Sequence, residues 1–396
     1  MFTHLFKLIW NKRKQNFLLM AEMLVSFLVM FAVFTLIVYY YRNYKKPMGF
    51  AYENVWVVSY NNTLKTENND SLSLYYETLR KILTSMPPIK EISFTNNHIP
   101  FSQSGMQTAL IYNNKKLTDV NWYNVEDSYT GVLNMKVLEG RWFGKQDIAA
   151  KNHPVVINAS LKEMLFGNNS AVGKLIGDGD DDEQSKKKVI GVVEDMKYHG
   201  DYSISGTGYY SRIDTASFHW LDKILIRVAP TADAAFEGRL YKTIAGYMKN
   251  ANIEIEHLTN KRKNMNYFYL APMILLLIVA GFLIINVALG LFGVLWYNIN
   301  KRRAEIGLRR SVGASRRSVS GQLVAEALIL ATLSLIIGSF FAIQFPLLNV
   351  FHLPAGVYII AQVLAIGFIY LLVLLCALYP GRQAAAIYPA VALHEE

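Results

Sequence analysis

Residues 167–175 read GNNSAVGKL, two glycines and a lysine in the order of a phosphate-cradling loop. In such a loop the glycines free backbone N–H groups for phosphate oxygens and the lysine adds charge. Here five residues separate the glycines instead of four, and Leu175 stands where a Ser or Thr would meet magnesium, so the run reads as a turn. Residues 178–183, DGDDDE, offer carboxylate oxygens to a hard cation but lack the ligand spacing of a calcium loop, and read as a solvated hairpin tip. The eight histidines, at positions 4, 98, 153, 199, 219, 257, 352 and 394, show no metal-ligand spacing, and no catalytic carboxylate pair or nucleophile elbow stands out. No catalytic, cofactor or metal site is therefore assigned.

The stretch with most to say is 301–315, KRRAEIGLRRSVGAS. Residues 304–312 suit a short helix, Gly313 a left-handed cap and Ser315 the start of a further helix. Ile306 reads as an exposed apolar residue, and Leu308 and Val312 add apolar surface among arginines. Two readings stand side by side: a basic loop lying on anionic lipid, or a docking knob with an apolar centre and a charged rim.

What positions that stretch is a set of long apolar runs. The chain has 396 residues, 52% of them hydrophobic, with 40 Lys+Arg against 30 Asp+Glu and one Cys. Residues 17–41 hold a single carboxylate, Glu22, and no base, while 264–300 and 327–381 hold no charge. Runs of this length are membrane spans, which excludes a soluble enzyme. Cys376 lies inside one of them and, being alone, excludes an intramolecular disulfide framework. Spans are expected at 17–41, 267–297, 322–345 and 357–380, with an external turn at 346–356 marked by Pro346 and Pro354. The first is too long for the apolar core of a signal peptide and is followed by Tyr39, Tyr40 and Tyr41 without a small-residue cleavage site, so it reads as a retained helix. Asn286, Ser334, Gln344 and Gln362 are among the few polar residues in the later spans, and Asn286 is expected to bond a neighbouring helix.

Four bases in the leader 1–16 and seven in the loop 298–321, against none in 346–356, place both termini, the tail 381–396 included, and that loop on the cytoplasmic side. The segment 42–266 is then outside; its 28 bases and 25 acids differ by +3, so most of the +10 excess serves topology and nucleic acid is not expected as a partner. Within it, residues 55–58, 108–112, 155–157, 189–193, 224–226 and 253–255 read as strands. Residues 71–86, 158–166 and 232–248 read as helices. The expected fold class is an α-helical membrane protein with four transmembrane helices and a large α+β extracytoplasmic domain between helices 1 and 2.

The run RRAEIGLRRSVGAS, followed by QLVAEALIL and the tail YPGRQAAAIYPAVALHEE, closely resembles the FtsX/MacB family of ABC transporter permeases. MKVLEGRWFGKQD, PVVINASLKEMLFGNNSAVGKLI and KKVIGVVEDMKY look like that family's extracytoplasmic core domain. The resemblance implies that Glu305, Ile306, Gly307, Leu308, Arg309 and Gly313 form a coupling helix seated on an ATPase subunit. It also marks Glu326, at the start of the third span, with Glu22 its analogue in the first. A bridge from Glu326 to an arginine of the preceding loop is one expectation for a carboxylate at a span boundary, and snorkelling to the interface the other. MacB-like members carry a nucleotide-binding domain ahead of the first span; only the 16-residue leader precedes it here, and no Walker A sequence is present. The chain is thus expected to be no enzyme itself, with ATP and Mg held by a separate ABC-type ATPase. A second permease chain, in a homodimer or a heterodimer, and a periplasmic or outer-membrane partner are implied as well, in a bacterial inner (plasma) membrane. The function implied is export or extraction of peptide, antibiotic, lipid or lipoprotein cargo. The alternatives are an FtsX-like mechanical regulator of a cell-wall hydrolase or sensor, and an anchored receptor without ATPase.

Overall fold

Thirty-three residues rich in Leu, Phe, Val and Met form the first helix, α1 (Arg13–Lys45). The computed structural model describes residues 13–61, 68–96, 98–113, 115–148, 150, 152–177 and 186–386; most of the leader, the acidic run 178–183 and the tail beyond 386 lie outside the described residues. The chain divides into two compact units, Met1–Arg42 with Leu270–Glu396, and Asn43–Tyr269.

In the membrane unit α1 is joined by α6 (Leu258–Lys301), a short α7 (Arg303–Ser311), α8 (Arg316–Leu347) and α9 (Ala355–Ala386). Among the described residues, four helices (α1, α6, α8 and α9) are long and apolar enough to cross a bilayer. Their shared core sets Met23, Phe27 and Phe31 of α1 against Ala331, Leu335 and Ala342 of α8 and Ala361 and Ala365 of α9. Small residues allow this close approach where lipid supplies no hydrophobic drive between helices. A Cβ at Gly338 would lie 2.4 Å from the Phe27 ring, so α8 needs glycine there. Helix α8 runs through Pro346 to Leu347, past the proline expected to open the turn. A proline in the last turn deletes one backbone bond where the helix is ending anyway. Asn286 donates to its own helix at Phe282 O (2.8 Å), not to a neighbouring one. Ser334 and Gln344 likewise bond Leu330 O (3.0 Å) and Phe340 O (3.3 Å).

The outer unit is a mixed sheet. In chain order its strands are β1 (Val55–Tyr60), β2 (Ile89–Thr95), β3 (Gln107–Tyr112), β4 (Lys115–Val125), β5 (Val137–Gly140), β6 (His153–Asn158), β7 (Leu175–Ile176), β8 (Lys187–Val193), β9 (Gly208–Arg212), β10 (Lys223–Val228) and β11 (Ile253–His257). They lie in the order β11-β1-β10-β2-β4-β9-β6-β8-β5, with β3 on β4 and β7 on β8. The β4–β9 and β6–β8 pairs are parallel. One register pair, Thr95 with Val125, joins β2 to β4, so the sheet falls into two lobes. In the first, α2 (Asn69–Thr84) and α5 (Ala234–Tyr247) bury Tyr76, Leu79, Leu83, Phe236, Leu240 and Ile244 against Trp56, Val58, Phe94 and Ile224. A short α3 (Tyr129–Leu133) follows β4, and in the second lobe α4 (Ala159–Phe166) follows β6 directly. Asn158 caps it, accepting from Leu161 N at 3.0 Å, and Gly167 ends it at φ +58°. The phosphate-loop look-alike is therefore a helix terminus and a turn. Its amides are spent inside the fold, Gly167 N on Glu163 O, Asn169 N on Phe166 O and Gly173 N on Val189 O.

Candidate functional site

The basic stretch folds as the residue types dictate. Helix α7 opens with Glu305 in its first turn and closes with Arg309 and Arg310 in its last, both favourable to the helix dipole. Gly313 sits at φ +100°, a conformation costly for any residue with a Cβ. Ala314 N closes the turn on Arg309 O (3.0 Å), and the Ser315 hydroxyl accepts from Ser318 N (3.2 Å) to start α8.

Ile306 departs from the sequence reading. It is 6% exposed and packs with Ile299, Val319 and Leu323, next to Ala314, in a small core that fixes α7 between the end of α6 and the start of α8. Its spacing placed it on a surface because the flanking arginines hide the apolar partners that lie on other helices. Gly307 is buried beside it. The large apolar residues that α7 and its cap offer to solvent are Leu308 and Val312, 55% and 82% exposed. A groove of about 380 Å³ runs beside them, lined by Leu308, Arg309, Val312, Ala314, Ser318, Val319 and Gln322.

A polar chain braces the same segment. Arg309 donates to Glu305 (2.5 Å) and to Gln322 Oε1 (2.8 Å); Gln322 donates to Glu326 Oε1 (3.2 Å), and Glu326 accepts from Arg302 at 3.0 Å. Arg302 and Glu326 are both largely buried, so Glu326 is paired to an arginine of the loop before its helix. The Arg309–Glu305 pair is half-exposed and contributes only about 0.3–0.5 kcal/mol. Glu305, Ile306, Gly307 and Arg309, together with Glu326, thus form one braced unit, with Leu308 exposed on it and Gly313 as its terminus. Glu22 does not join it. Its carboxylate lies against α6, where a Cβ at Gly290 would come within 2.6 Å of it, and none of the described residues pairs with it.

A second cluster, at one end of the outer unit, went unnoticed in the sequence. Lys197 is 1% exposed, and its ammonium donates to Asn43 O, near the end of α1, and to Asp201 O at 3.2 Å. Burial lowers its pKa from the ordinary lysine value. Asp201 accepts from Arg262 Nε (3.0 Å) and Nη2 (2.8 Å) and from Asn266 Nδ2 (2.6 Å), while its own N–H donates to Asn266 Oδ1 (3.0 Å). Arg262 also lies 4.4 Å over the Tyr52 ring. Arg262 and Asn266 belong to the first turns of α6, so the loop 197–203 ties the start of α6 to the end of α1. An isolated Lys and Asp in a loop carry no signal of this; the partners lie far off in sequence.

Residues 17–240 match the family described as MacB-like periplasmic core domain, and residues 276–389 match FtsX-like permease C-terminal. The macrolide export ATP-binding/permease protein MacB of Aggregatibacter actinomycetemcomitans is 24% identical over 250 residues, 60% of this chain and 36% of that protein. The uncharacterized ABC transporter permease YvrN of Bacillus subtilis is 22% identical over 306 residues, 71% of this chain and 72% of that protein. Against the MacB of A. actinomycetemcomitans and of Paracoccus denitrificans, the match spans about a third of the relative's length, 36% and 34%. The crystal structure of the periplasmic region of MacB from Actinobacillus actinomycetemcomitans aligns at a TM-score of 0.39 and 17% identity, covering 55% of this chain and 94% of that one.

Proposed function

We propose that this chain, which belongs to the family of FtsX-like ABC transporter permeases with a MacB-like periplasmic core domain, couples ATP hydrolysis on a separate ABC-type ATPase to motion of its outer domain. The observation that carries the reading is α7: Leu308 and Val312 stand exposed beside a groove that Arg309 also lines, with Arg310, Arg316 and Arg317 close by in sequence. An apolar centre inside a charged rim is what a docked partner needs. A helix that only rested on lipid headgroups would not require the bracing from Arg302 through Glu326 to Arg309.

In this reading both termini and the α7 loop are cytoplasmic, and the outer unit is extracytoplasmic, in a bacterial inner membrane. ATP and Mg stay on the ATPase, and two permease chains, identical or related, complete the assembly. Nucleotide-driven closure of the ATPases pushes on Leu308 and Val312. The Ile306 core passes the push to α6 and α8, and α6 is one helix from Leu258 to Lys301. At its other end Arg262 and Asn266 hold the loop 197–203, which holds Asn43. Differential contacts of a few kcal/mol suffice to shift two such states.

The cargo proposed is a peptide, antibiotic, lipid or lipoprotein. The self-bonded Asn286, Ser334 and Gln344 leave little along the spans to line a polar path, which favours cargo handled outside the membrane. That observation equally favours a second reading, an FtsX-like mechanical regulator of a cell-wall hydrolase or sensor that moves no cargo. ATPase activity of the reconstituted assembly, measured with and without candidate cargo, separates the two: stimulation supports transport, and activity indifferent to every cargo supports the regulator. ATPase activity unaltered by Leu308→Asp with Val312→Asp would overturn the coupling itself.

A further inference from the structure

The outer unit holds a cavity of about 1140 Å³ beside the single register pair at which β2 and β4 part. Its lining includes the parallel pair β4–β9, where Asn124 lies directly opposite Ser211. No α-helix contributes to this lining.

The charged groups around the cavity are already engaged, Asp147 and Arg212 by opposite charges and the others by neutral groups. Asp147 accepts from Arg141 at 2.6 Å and from Gly144 N at 2.9 Å, which lowers its pKa. Arg212 donates to Asp127 at 2.7 and 3.0 Å, and Asp214 accepts from the Ser217 amide and hydroxyl at 2.8 and 2.6 Å. Lys187 lies 5.7 Å from the Tyr209 ring. His98 Nδ1 donates to Trp122 O at 2.7 Å, and burial pushes the ring down to about 4, so it is uncharged at neutral pH. An anionic ligand entering here would lose hydration without an unpaired cation to meet it, and Asp214, held by neutral donors, would repel it. By contrast, the Asn124 carboxamide and the Ser211 hydroxyl have no hydrogen-bond partner among the described residues and line the cavity. Trp220 and Ile148, also in the lining, are left 76% and 69% exposed. Neutral amide and hydroxyl groups beside exposed apolar side chains match a ligand with its own amides and apolar groups.

We propose that this cavity is a binding site for an uncharged peptide segment with apolar side chains, its amides on Asn124 and Ser211 and a side chain against Trp220. The site deepens the cargo reading, of which it names one class, and rests on it; binding requires neither nucleotide nor ATPase, so its failure would leave the coupling untouched.

The probe is a capped tetrapeptide, acetylated and amidated, of leucine, benzoylphenylalanine, asparagine and leucine, photocrosslinked to the full chain in lipid nanodiscs and mapped by mass spectrometry. Adducts are expected on residues 103–106, 148 or 220, saturable and competed by the same peptide bearing plain phenylalanine. Trp220→Ala should reduce labelling about tenfold, as loss of an aromatic anchor does, and Asn124→Leu severalfold. Trp220 is mostly in solvent and the Asn124 side chain bonds none of the described residues, so neither change removes an interaction seen to hold the fold. A version with glutamates in place of the leucines should label far less. Adducts confined to the membrane helices, labelling that does not saturate, or competition by a neutral chito-oligosaccharide in place of the peptide would each overturn the proposal.

Discussion

Replacing Asp201 by Asn keeps the side chain's size but removes its charge and turns one acceptor oxygen into a donor. In the native unit those oxygens face Arg262 at 3.0 and 2.8 Å and Asn266 at 2.6 Å, and Asp201 is 6% exposed. Removing one partner of a fully buried ion pair costs about 3–5 kcal/mol. Arg262 keeps 29% of its side chain in solvent, which screens the loss, so about 2 kcal/mol is expected, or roughly a thirtyfold rise in local opening. Amide hydrogen exchange on the full chain in detergent reads this directly. Protection should fall about thirtyfold in residues 198–203 and in the first turns of α6. It should stay unchanged in β6 and β8, which supply none of the cluster's hydrogen-bond partners given above. The double change Asp201→Leu with Arg262→Met, which removes both charges, should recover part of the loss. Unchanged protection at the start of α6 would refute the tie between the loop 197–203 and α6, and an equal fall in β6 and β8 would show ordinary domain-wide destabilisation.

Leu308→Asp with Val312→Asp should abolish ATPase association while the chain still inserts and melts normally; Ile306→Asp, which buries a carboxylate among Ile299, Val319 and Leu323, should instead expose α7 to limited trypsin digestion. Glu326→Gln leaves Arg302 without its 3.0 Å partner and should cost about 1–3 kcal/mol, seen as faster tryptic cleavage after Arg309 and Arg310. His98 has its pKa at about 4 when folded against 6.5 ordinarily. Below pH 6.5 the unfolded chain therefore binds a proton the folded one refuses, and stability present above 6.5 is lost as pH falls toward 4, by about 3 kcal/mol. Denaturant unfolding of the full chain should show that slope, and His98→Gln should flatten it. Gly313→Val forces a branched residue into φ +100° and should weaken ATPase association without touching the exposed apolar residues.

The membrane helices were legible in the sequence because lipid permits few charges, and Glu22 is the lone exception in residues 17–41. The α4 boundaries were legible too, since Asn158 and Gly167 are a cap and a terminator by their own chemistry. Strands β2, β4, β5, β7 and β9 carry no such local signal. IKEISFT and KKLTDVNWYNV mix charged and apolar residues, and their pairing is set by distant strands. Ile306 shows the same limit in the site: local pattern placed it outward, but its core is made of residues from α6 and α8. The Glu326 bridge was within reach because a carboxylate at a span boundary must find a cation and arginines lie just before it. The Lys197–Asp201–Arg262 cluster was not, since its members stand 65 residues apart at the Asp201–Asn266 bond and 154 apart at Lys197–Asn43.

Purification of the tagged chain from its native membrane in mild detergent, with mass spectrometry of everything retained, tests the coupling most directly. An ABC-type ATPase near one-to-one with total permease, lost when Leu308 and Val312 are both changed to Asp, is the predicted result. Recovery of the chain without any ATPase, or an ATPase retained equally by the double variant, would contradict it and leave the arginines of α7 as topology signals.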